Sequence, residues 1–389
     1  MAANNRLFYA AQQVGLRANG AVSAYTAIHG AQSVGITTTF NLEQVFELGQ
    51  IEIYENIENT PDIEVTCEKV LDGYPPIYLL ATSDSTAPTL AGRSVSRPQI
   101  AVAAFADTSD SASGDPLVQV TMSGMYLQNI SYTIPVDGSM TESVSFVGNH
   151  KLWVTNGFYA EAGSKFSGAF ASNADVPLAV SGSGGVQRRE NLLFDYSDPY
   201  AGVDSNSCVI VPSGCVLPTQ VFGISSSGTN DLNDETRAKL QSISVSVDLG
   251  REPIFELGRR LPYHRFATFP VEVTCAIEIV GVSGDMVSAT EEGIYDSGST
   301  GCNSGSNLLN NTIKIATCDG TRINLKYNNK LTSSSQSGGD AGGGNVAVTY
   351  NFSNFNAMTV THFNDPNATL GATGAAWLNW YMFDQATSL

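Results

Sequence analysis

The sequence is poor in charge, and poorer still in positive charge: 19 Lys and Arg stand against 37 Asp and Glu in 389 residues, with charged residues only 14% of the chain and a formal charge of −18. That shortage excludes gripping nucleic acid by phosphate neutralisation, which needs clustered Lys and Arg to release counterions. An acidic surface can still face DNA without holding it. No apolar run approaches the roughly 18 residues that a membrane helix needs. The opening MAANNRLFYAAQQVGL has no basic region, long apolar core or cleavage site of a signal peptide. These absences predict a soluble chain with no membrane partner, folding in a cytoplasm.

Chemistry is missing as well. The six cysteines, at 67, 208, 215, 275, 302 and 318, form no CxxC pair. Cys67 and Cys275 fall in apolar-polar alternation, where a buried free thiol is expected. Cys208 and Cys215 are close enough in sequence to bridge, but spacing alone does not pair them. His29, His150, His264 and His362 lie far apart, each without a second ligand a few residues away, which is the pattern of surface or core-edge histidines rather than of a metal site. Gly342-Gly343-Gly344-Asn345-Val346-Ala347 fits a GxGxxA pattern, but an alternating strand follows it where dinucleotide binding needs a helix. No phosphate loop, HExxH or calcium loop is present. The expectation is a protein with no catalytic residues, no cofactor and no metal.

What the sequence does contain is a stretch written twice. Phe46-Glu47-Leu48-Gly49 matches Phe255-Glu256-Leu257-Gly258, Tyr54 matches Tyr263, Pro61 matches Pro270, and Glu64–Cys67 matches Glu272–Cys275 once a single residue is left out. The period is too long for a solenoid of short repeats and is the size of a small domain. The copies differ in charge. Between Glu43 and Asp72 there are nine acids and one base, Lys69; between Arg251 and Asp285 there are four arginines and five acids. If such units alternate around a ring, an acidic edge carrying Glu47, Glu52 and Glu55 meets one carrying Glu256, Arg259, Arg260 and Arg265, which suits a heterologous, closing interface. Independent surface drift is the equal alternative.

In chain order, residues 1 to 35 read as an extended arm, its periodicity broken by Gly15, Gly20, Gly30 and Gly35. From Ile36 to Leu71 the apolar residues alternate, and Asn56 to Asp62 supplies a turn between two strands. Tyr74 to Gly114 is a loop with one apolar island at Ile100 to Phe105. Val118-Val120-Met122 and Tyr126-Ile130-Tyr132-Ile134 lead through Asp137-Gly138 to Val144-Phe146, a second hairpin. Its counterpart runs Ile323-Leu325-Tyr327 out and Val346-Val348-Tyr350-Phe352 back, around a loop from Asn328 to Asn345. Asp231 to Gln241 is the best helix candidate. Ala375 to Phe383 is an aromatic tail, either core packing or a docking arm. The predicted fold is mainly β with short helices: residues 1–35 an arm, 36–200 and 201–389 two tandem β-sandwich or barrel domains related by duplication.

Three stretches carry a resemblance: GITTTFNLEQVFELGQIEIYENIENTPDIEVTCEKVLDGYP from Gly35, TIPVDGSMTESVSFVGN from Thr133, and LQSISVSVDLGREPIFELGRRLPYHRFATFPVEVTCAIEIV from Leu240. They resemble tailed-phage virion structural proteins, and the duplicated, acidic, Gly/Ser-rich β unit resembles the tail tube family. That resemblance implies β-sandwich units whose hairpins join neighbours in a luminal barrel, with no catalytic residues. It implies self-association into stacked rings, a trimer with pseudo-sixfold symmetry or a hexamer, together with other tail proteins and a sheath in contractile tails. DNA then passes through the lumen unbound, in a virion tail assembled in the host cytoplasm. A baseplate hub or tail terminator is the alternative, and a capsid protein or an adhesin-like β-sandwich a more distant one. The loop from Asn328 to Asn345 and the N-terminal arm are the expected ring-to-ring contacts.

Overall fold

The structure, a computed structural model, describes residues 12–18, 25–105, 116–155, 185–197, 240–280, 312–317, 319–326, 328–338 and 345–362. In chain order the first elements are β1 Gln12–Arg17, β2 Thr26–Ala27, β3 Ala31–Thr39, β4 Leu42–Phe46, β5 Ile53–Glu58 and β6 Asp62–Val70. Helices α1 Ile77–Ala81 and α2 Leu90–Arg93 follow, then β7 Gln99–Ala104, β8 Val118–Met122, β9 Tyr126–Pro135, β10 Thr141–Gly148 and β11 Lys151–Thr155. After a 3₁₀ turn come β12 Leu192–Ser197, β13 Leu240–Asp248, β14 Glu252–Ile254, β15 His264–Phe266 and β16 Glu272–Val280. The last are β17 Thr312–Thr317, β18 Thr321–Asn324, β19 Lys330–Ser337, β20 Ala347–Phe355 and β21 Thr359–His362. The protein is mainly β, as its period-two alternation predicts.

The central feature is an eight-stranded antiparallel sheet ordered β19-β20-β16-β13-β9-β10-β6-β3. Its two halves read alike: β3-β6-β10-β9 and then β13-β16-β20-β19, joined where β9 pairs with β13. A five-stranded sheet, β11-β8-β7-β1-β2, and a four-stranded sheet, β12-β17-β18-β21, accompany it. Two separate hairpins, β4–β5 and β14–β15, are inserted between β3 and β6 and between β13 and β16.

One face of the large sheet is the core. Ile63, Val65 and Cys67 of β6, Val144 and Phe146 of β10, and Ile130, Tyr132 and Ile134 of β9 are buried, as are Val245 and Val247, Val273 and Cys275, Tyr350 and Phe352 from the other half. They join Leu16, Ile100, Met122, Ile315 and Val360 from the smaller sheets in one apolar cluster. Alternation along a strand sends every second side chain to the same face, so the apolar set packs while its neighbours stay out. Cys67 and Cys275 are buried free thiols, as expected, and burial pushes both up to about 12, so they stay protonated.

Two charges share that face. Lys69 is fully buried, its Nζ donating to Asp72 Oδ1 (3.1 Å) and to the carbonyls of Tyr74 (3.3 Å) and Pro75 (3.2 Å). Glu142 is fully buried too, accepting from the N–H groups of Ile77 (2.5 Å) and Tyr78 (3.1 Å) and from the Tyr132 hydroxyl (2.8 Å). Pro76 caps α1 with no side-chain bond, so the carboxylate of Glu142, reaching from β10, satisfies the first N–H groups of the helix. This seats the helix on the sheet. The matching row of the second half pairs Ile277 with Tyr350 and Tyr350 with Ser334, and carries no such charges.

The structure departs from the sequence reading in several places. The segment read as an arm holds β1, which pairs with β7 and buries Val14 and Leu16, and residue 31 already begins β3. The turn predicted at Asn56–Asp62 is where β5 passes into β6; β6 pairs back with β3, and the hairpin turns earlier, at Glu47–Gln50. Gly49, at φ 95°, is what permits the earlier reversal. The loop from Asn328 to Asn345 contains β19, whose Ser/Thr run has no apolar phase to announce it. It is β19 that pairs with β20, while β18 pairs with β17 and β21. Leu192–Ser197, on the first side of a split at 200, pairs with Thr312–Thr317 of the second half. Leu240 and Gln241, the end of the proposed helix, belong to β13. The rest of that helix, the tail from Ala375, the glycine run 342–344 and Cys208, Cys215, Cys302 and Cys318 lie outside the described residues.

Candidate assembly surfaces

Three surfaces stand out, and none is a cleft. The first is the pair of open edges of the eight-stranded sheet, β3 and β19. Each leaves a row of backbone N–H and C=O groups without a strand partner among the described residues. Solitary proteins blunt such edges with charge, proline or bulges. Here β3 reads AQSVGITTT, with no charge and no proline, and β19 reads KLTSSSQS, with one lysine at its start. Each does carry one register shift, at Ala31/Ser33 and at Leu331/Ser333. Most of both strands is still presented as a flat, neutral edge.

The second surface is the polar face of the same sheet. Ser131 and Thr133, Ser143 and Ser145, Ser244 and Ser246, and Thr349 and Asn351 alternate with the buried set. Some bond across strands, as Ser242 Oγ does to Glu278 Oε2 (2.9 Å) and Ser246 to Thr274 (2.7 Å). The charges on this face are mostly acidic: Glu64, Glu68, Asp248, Glu272 and Glu278, against Lys330 at the start of β19. A polyanion facing it is repelled rather than bound.

The third surface is the pair of inserted hairpins. Leu42, Phe46, Leu48, Ile51 and Tyr54 are exposed on β4–β5, and Phe255, Leu257, Leu261, Tyr263 and Phe266 on β14–β15. The proposed interface residues sit here, and the structure places them unevenly. Glu47, Glu52 and Glu55 are exposed on the first hairpin. Glu256 and Arg259 are exposed and pair with each other (3.0 Å) within their own turn. Arg260 is exposed, yet its Nη2 donates to the Glu58 carbonyl (2.8 Å), while its own carbonyl accepts from Thr60 Oγ1 (2.6 Å). Arg265 is buried and bonds Asp62 and the Asn149 side chain. Thus Arg260 and Arg265 clasp the second hairpin to the base of the first, inside one chain. Nearby, Arg251 donates to the carbonyls of Leu127 (2.6 Å) and Ser94 (2.7 Å), and burial lowers it to about 10.

The histidines are dispersed. His29 stacks on Tyr74 with ring centroids 3.7 Å apart, His150 bonds Ser123 (2.8 Å), and His264 lies between Tyr126 and Phe266. Burial lowers the pKa of His29 and of His264. Among the described residues no cluster of three or more His, Cys, Asp or Glu is arranged to hold a metal ion, and no helix is long and apolar enough to cross a membrane. The sequence reading missed the open edges and the apolar hairpin tips. The signals were present: a strand-length neutral Ser/Thr run in the first case, and in the second the repeated Phe-Glu-Leu-Gly itself, with apolar residues beside a turn glycine.

No family model matches the chain, and no curated protein does. Solved structures resemble part of it. A chain of the anti-feeding prophage baseplate matches 40% of this protein and 96% of its own length at 13% identity and a TM-score of 0.29. A chain of the tube-terminating cap of the same particle matches 40% and 95% at 10% identity and a TM-score of 0.29. An Hcp protein matches 37% and 98% at 11% identity and a TM-score of 0.23.

Proposed function

We propose that this chain is a structural subunit of a phage-type tail tube, whose copies pair edge to edge into rings that stack around a DNA-conducting lumen. The observation that carries the reading is the eight-stranded sheet, in which one four-strand order occurs twice and ends in two open edges. The joint inside the chain supports a pattern for pairing those edges between protomers. There β9, the last strand of one set, pairs with β13, the first of the next. The outer strands β19 and β3 are the same two kinds of strand, each with no strand on its outer side among the described residues.

The register of the joint transfers directly. Cys67 faces Val34 and Val144, and Val144 faces Ile130; Cys275 faces Val245 and Phe352, and Phe352 faces Leu331. Leu331 therefore stands where Ile130 does. Ile130 pairs with Val247, two residues beyond Val245, so Leu331 of one protomer meets Ile36 of the next, two residues beyond Val34. By the same rule Thr133 pairs with Ser244, and Ser335 meets Ser33. Repeating the joint curls the sheet and closes it, removing every edge. Three chains supply six four-strand units, a trimer with pseudo-sixfold symmetry. The acidic, hydroxyl-rich face would then line the lumen, repelling phosphate evenly so that DNA slides without sticking.

In the virion tail such a tube would meet other tail proteins at its ends. The test is a cysteine pair, Ser33→Cys with Ser335→Cys, oxidised after assembly. Covalent oligomers ending in a closed ring are expected, with each single variant uncrosslinked. An assembled particle that never crosslinks at this pair sinks the register, and a protein that never forms rings sinks the function. Negative-stain images separate the tube, which extends, from a baseplate hub or tail terminator, which stops at one ring.

A further inference from the structure

The joint inside the chain is bolted where the second hairpin leans on the first half. Arg260 bonds the Glu58 carbonyl and Thr60, and Arg265 reaches Asp62 and Asn149. This polar clasp leaves Arg265 only 7% exposed and Thr60 9%. Its counterparts in the other copy can be read off, because the two hairpins pair in the same register. Val45 faces Glu55 as Ile254 faces His264, and Gln44 faces Asn56 as Pro253 faces Arg265. Ile51 therefore stands where Arg260 does, Asn56 where Arg265 does, and Phe269 where Thr60 does. Ile63 and Val271 are both buried, so the residue the second copy leaves out is Asp62. On the neighbouring strands Val144 faces Cys67 as Phe352 faces Cys275, which sets Phe355 in place of Val147 and Ala357 in place of Asn149.

Only Asn56 keeps a hydrogen-bonding side chain at these counterpart positions, and the apolar replacements are uncovered. Ile51 is 100% exposed, Phe355 58% and Phe269 42%. We infer that the joint between chains is closed by an apolar clasp, Ile51 of one copy seating against Phe269 and Phe355 of a second copy, so that the inner and outer joints cannot be exchanged. The inference rests on the ring reading above. In that arrangement a neighbour's β3 lies beside β19 as β13 lies beside β9, and its first hairpin reaches toward the start of β16 as the second hairpin reaches the start of β6. Each hairpin suits one seat alone. Arg260 and Arg265 placed against Phe269 and Phe355 would be desolvated with no carboxylate to meet, and Ile51 placed at the inner seat would leave Asp62 and Asn149 without their partner. The chemical difference between the copies thus becomes a rule of assembly, in which first and second halves must alternate.

The experiment uses the full chain with Ile51→Arg and Asn56→Arg together, which gives the first hairpin the arginines of the second. Both side chains are exposed, so the thermal melt of the protomer should not move. Ring assembly followed by sedimentation should weaken by about tenfold or more. Adding Phe269→Asp should restore it, and the restored rings should loosen with rising salt more steeply than wild-type rings. Wild-type assembly of the arginine variant overturns the inference, as does a triple variant that stays unassembled. In a second readout, Phe355→Cys should react with maleimide in the protomer and resist it in rings; equal labelling in both states, or protection already in the protomer, also overturns the clasp. The cysteine crosslink placed at Ser33 and Ser335 separates the two readings. If it forms at the wild-type level in the arginine variant, the ring stands and the clasp falls; if wild-type protein gives neither rings nor crosslink, both fall.

Discussion

Glu142 shows how much one side chain can organise. Its carboxyl is fully buried, and that burial holds its pKa above the ordinary carboxylate range even though Lys69, the Tyr132 hydroxyl and the N–H groups of Tyr78 and Ile77 pull the other way. A carboxyl whose folded pKa exceeds its unfolded one binds a proton on folding. Its contribution is therefore complete below about pH 4 and is lost as pH rises through the raised value. Glu142→Gln has no charge to desolvate. Wild-type Tm should accordingly fall relative to that variant as pH rises above about 4, the ordinary carboxylate value, as followed by calorimetry, and parallel Tm–pH curves would exclude the assignment. The sequence did hold a clue. Glu142 shares the alternating phase of Val144 and Phe146, and Lys69 that of Val65 and Cys67, so each charge sits where the pattern calls for an apolar residue. That the two were neighbours was not readable, because only the β6–β10 ladder brings Lys69 opposite Glu142.

Among the described elements, the first inserted hairpin buries almost nothing. Every residue of β5 is exposed, and β4 is exposed apart from a half-buried Val45. Thr39 pairs directly with Asp62 beneath them, and Asn41 closes the base through the Thr60 carbonyl and Asp62. Replacing residues 42–58 by an Asn-Gly turn should therefore leave the eight-stranded sheet folded, at a cost of about 1 kcal/mol from the lost Arg260–Glu58 bond. Urea denaturation measures it, and a collapse of the cooperative transition would show that the hairpin supports the sheet. Strand existence was legible here, since Phe40-Leu42, Ile51-Ile53 and Ile63-Val65-Cys67 all alternate. Strand partnership was not. Alternation fixes which residues share a face, but the partner depends on where the chain reverses, and a glycine at positive φ decided that over the Asn/Pro/Asp cluster.

At the scale of the whole molecule, the open edges predict that stability depends on protein concentration, because pairing removes the folded protomer from the unfolding equilibrium. Ser33→Lys with Ser335→Lys places like charges opposite one another at the proposed joint while changing only exposed side chains. That variant should stay monomeric, with a concentration-independent Tm. Ser33→Lys with Ser335→Asp should restore assembly, and equal oligomerisation of all three proteins by sedimentation would remove the proposed joint. The sequence by itself determined the β character, the alternating core, the buried cysteines and the likeness of two distant stretches, because period and residue type are local properties. Only the tertiary structure decided that the Glu-Val-Thr-Cys strands of both stretches lie in one continuous sheet while their Phe-Glu-Leu-Gly parts leave it as separate hairpins, that β19 forms from a serine run, and that Arg260 and Arg265 bond within the chain. Those outcomes depend on which backbone groups find partners across long separations, and side-chain sequence encodes that choice only through the packing of the entire sheet.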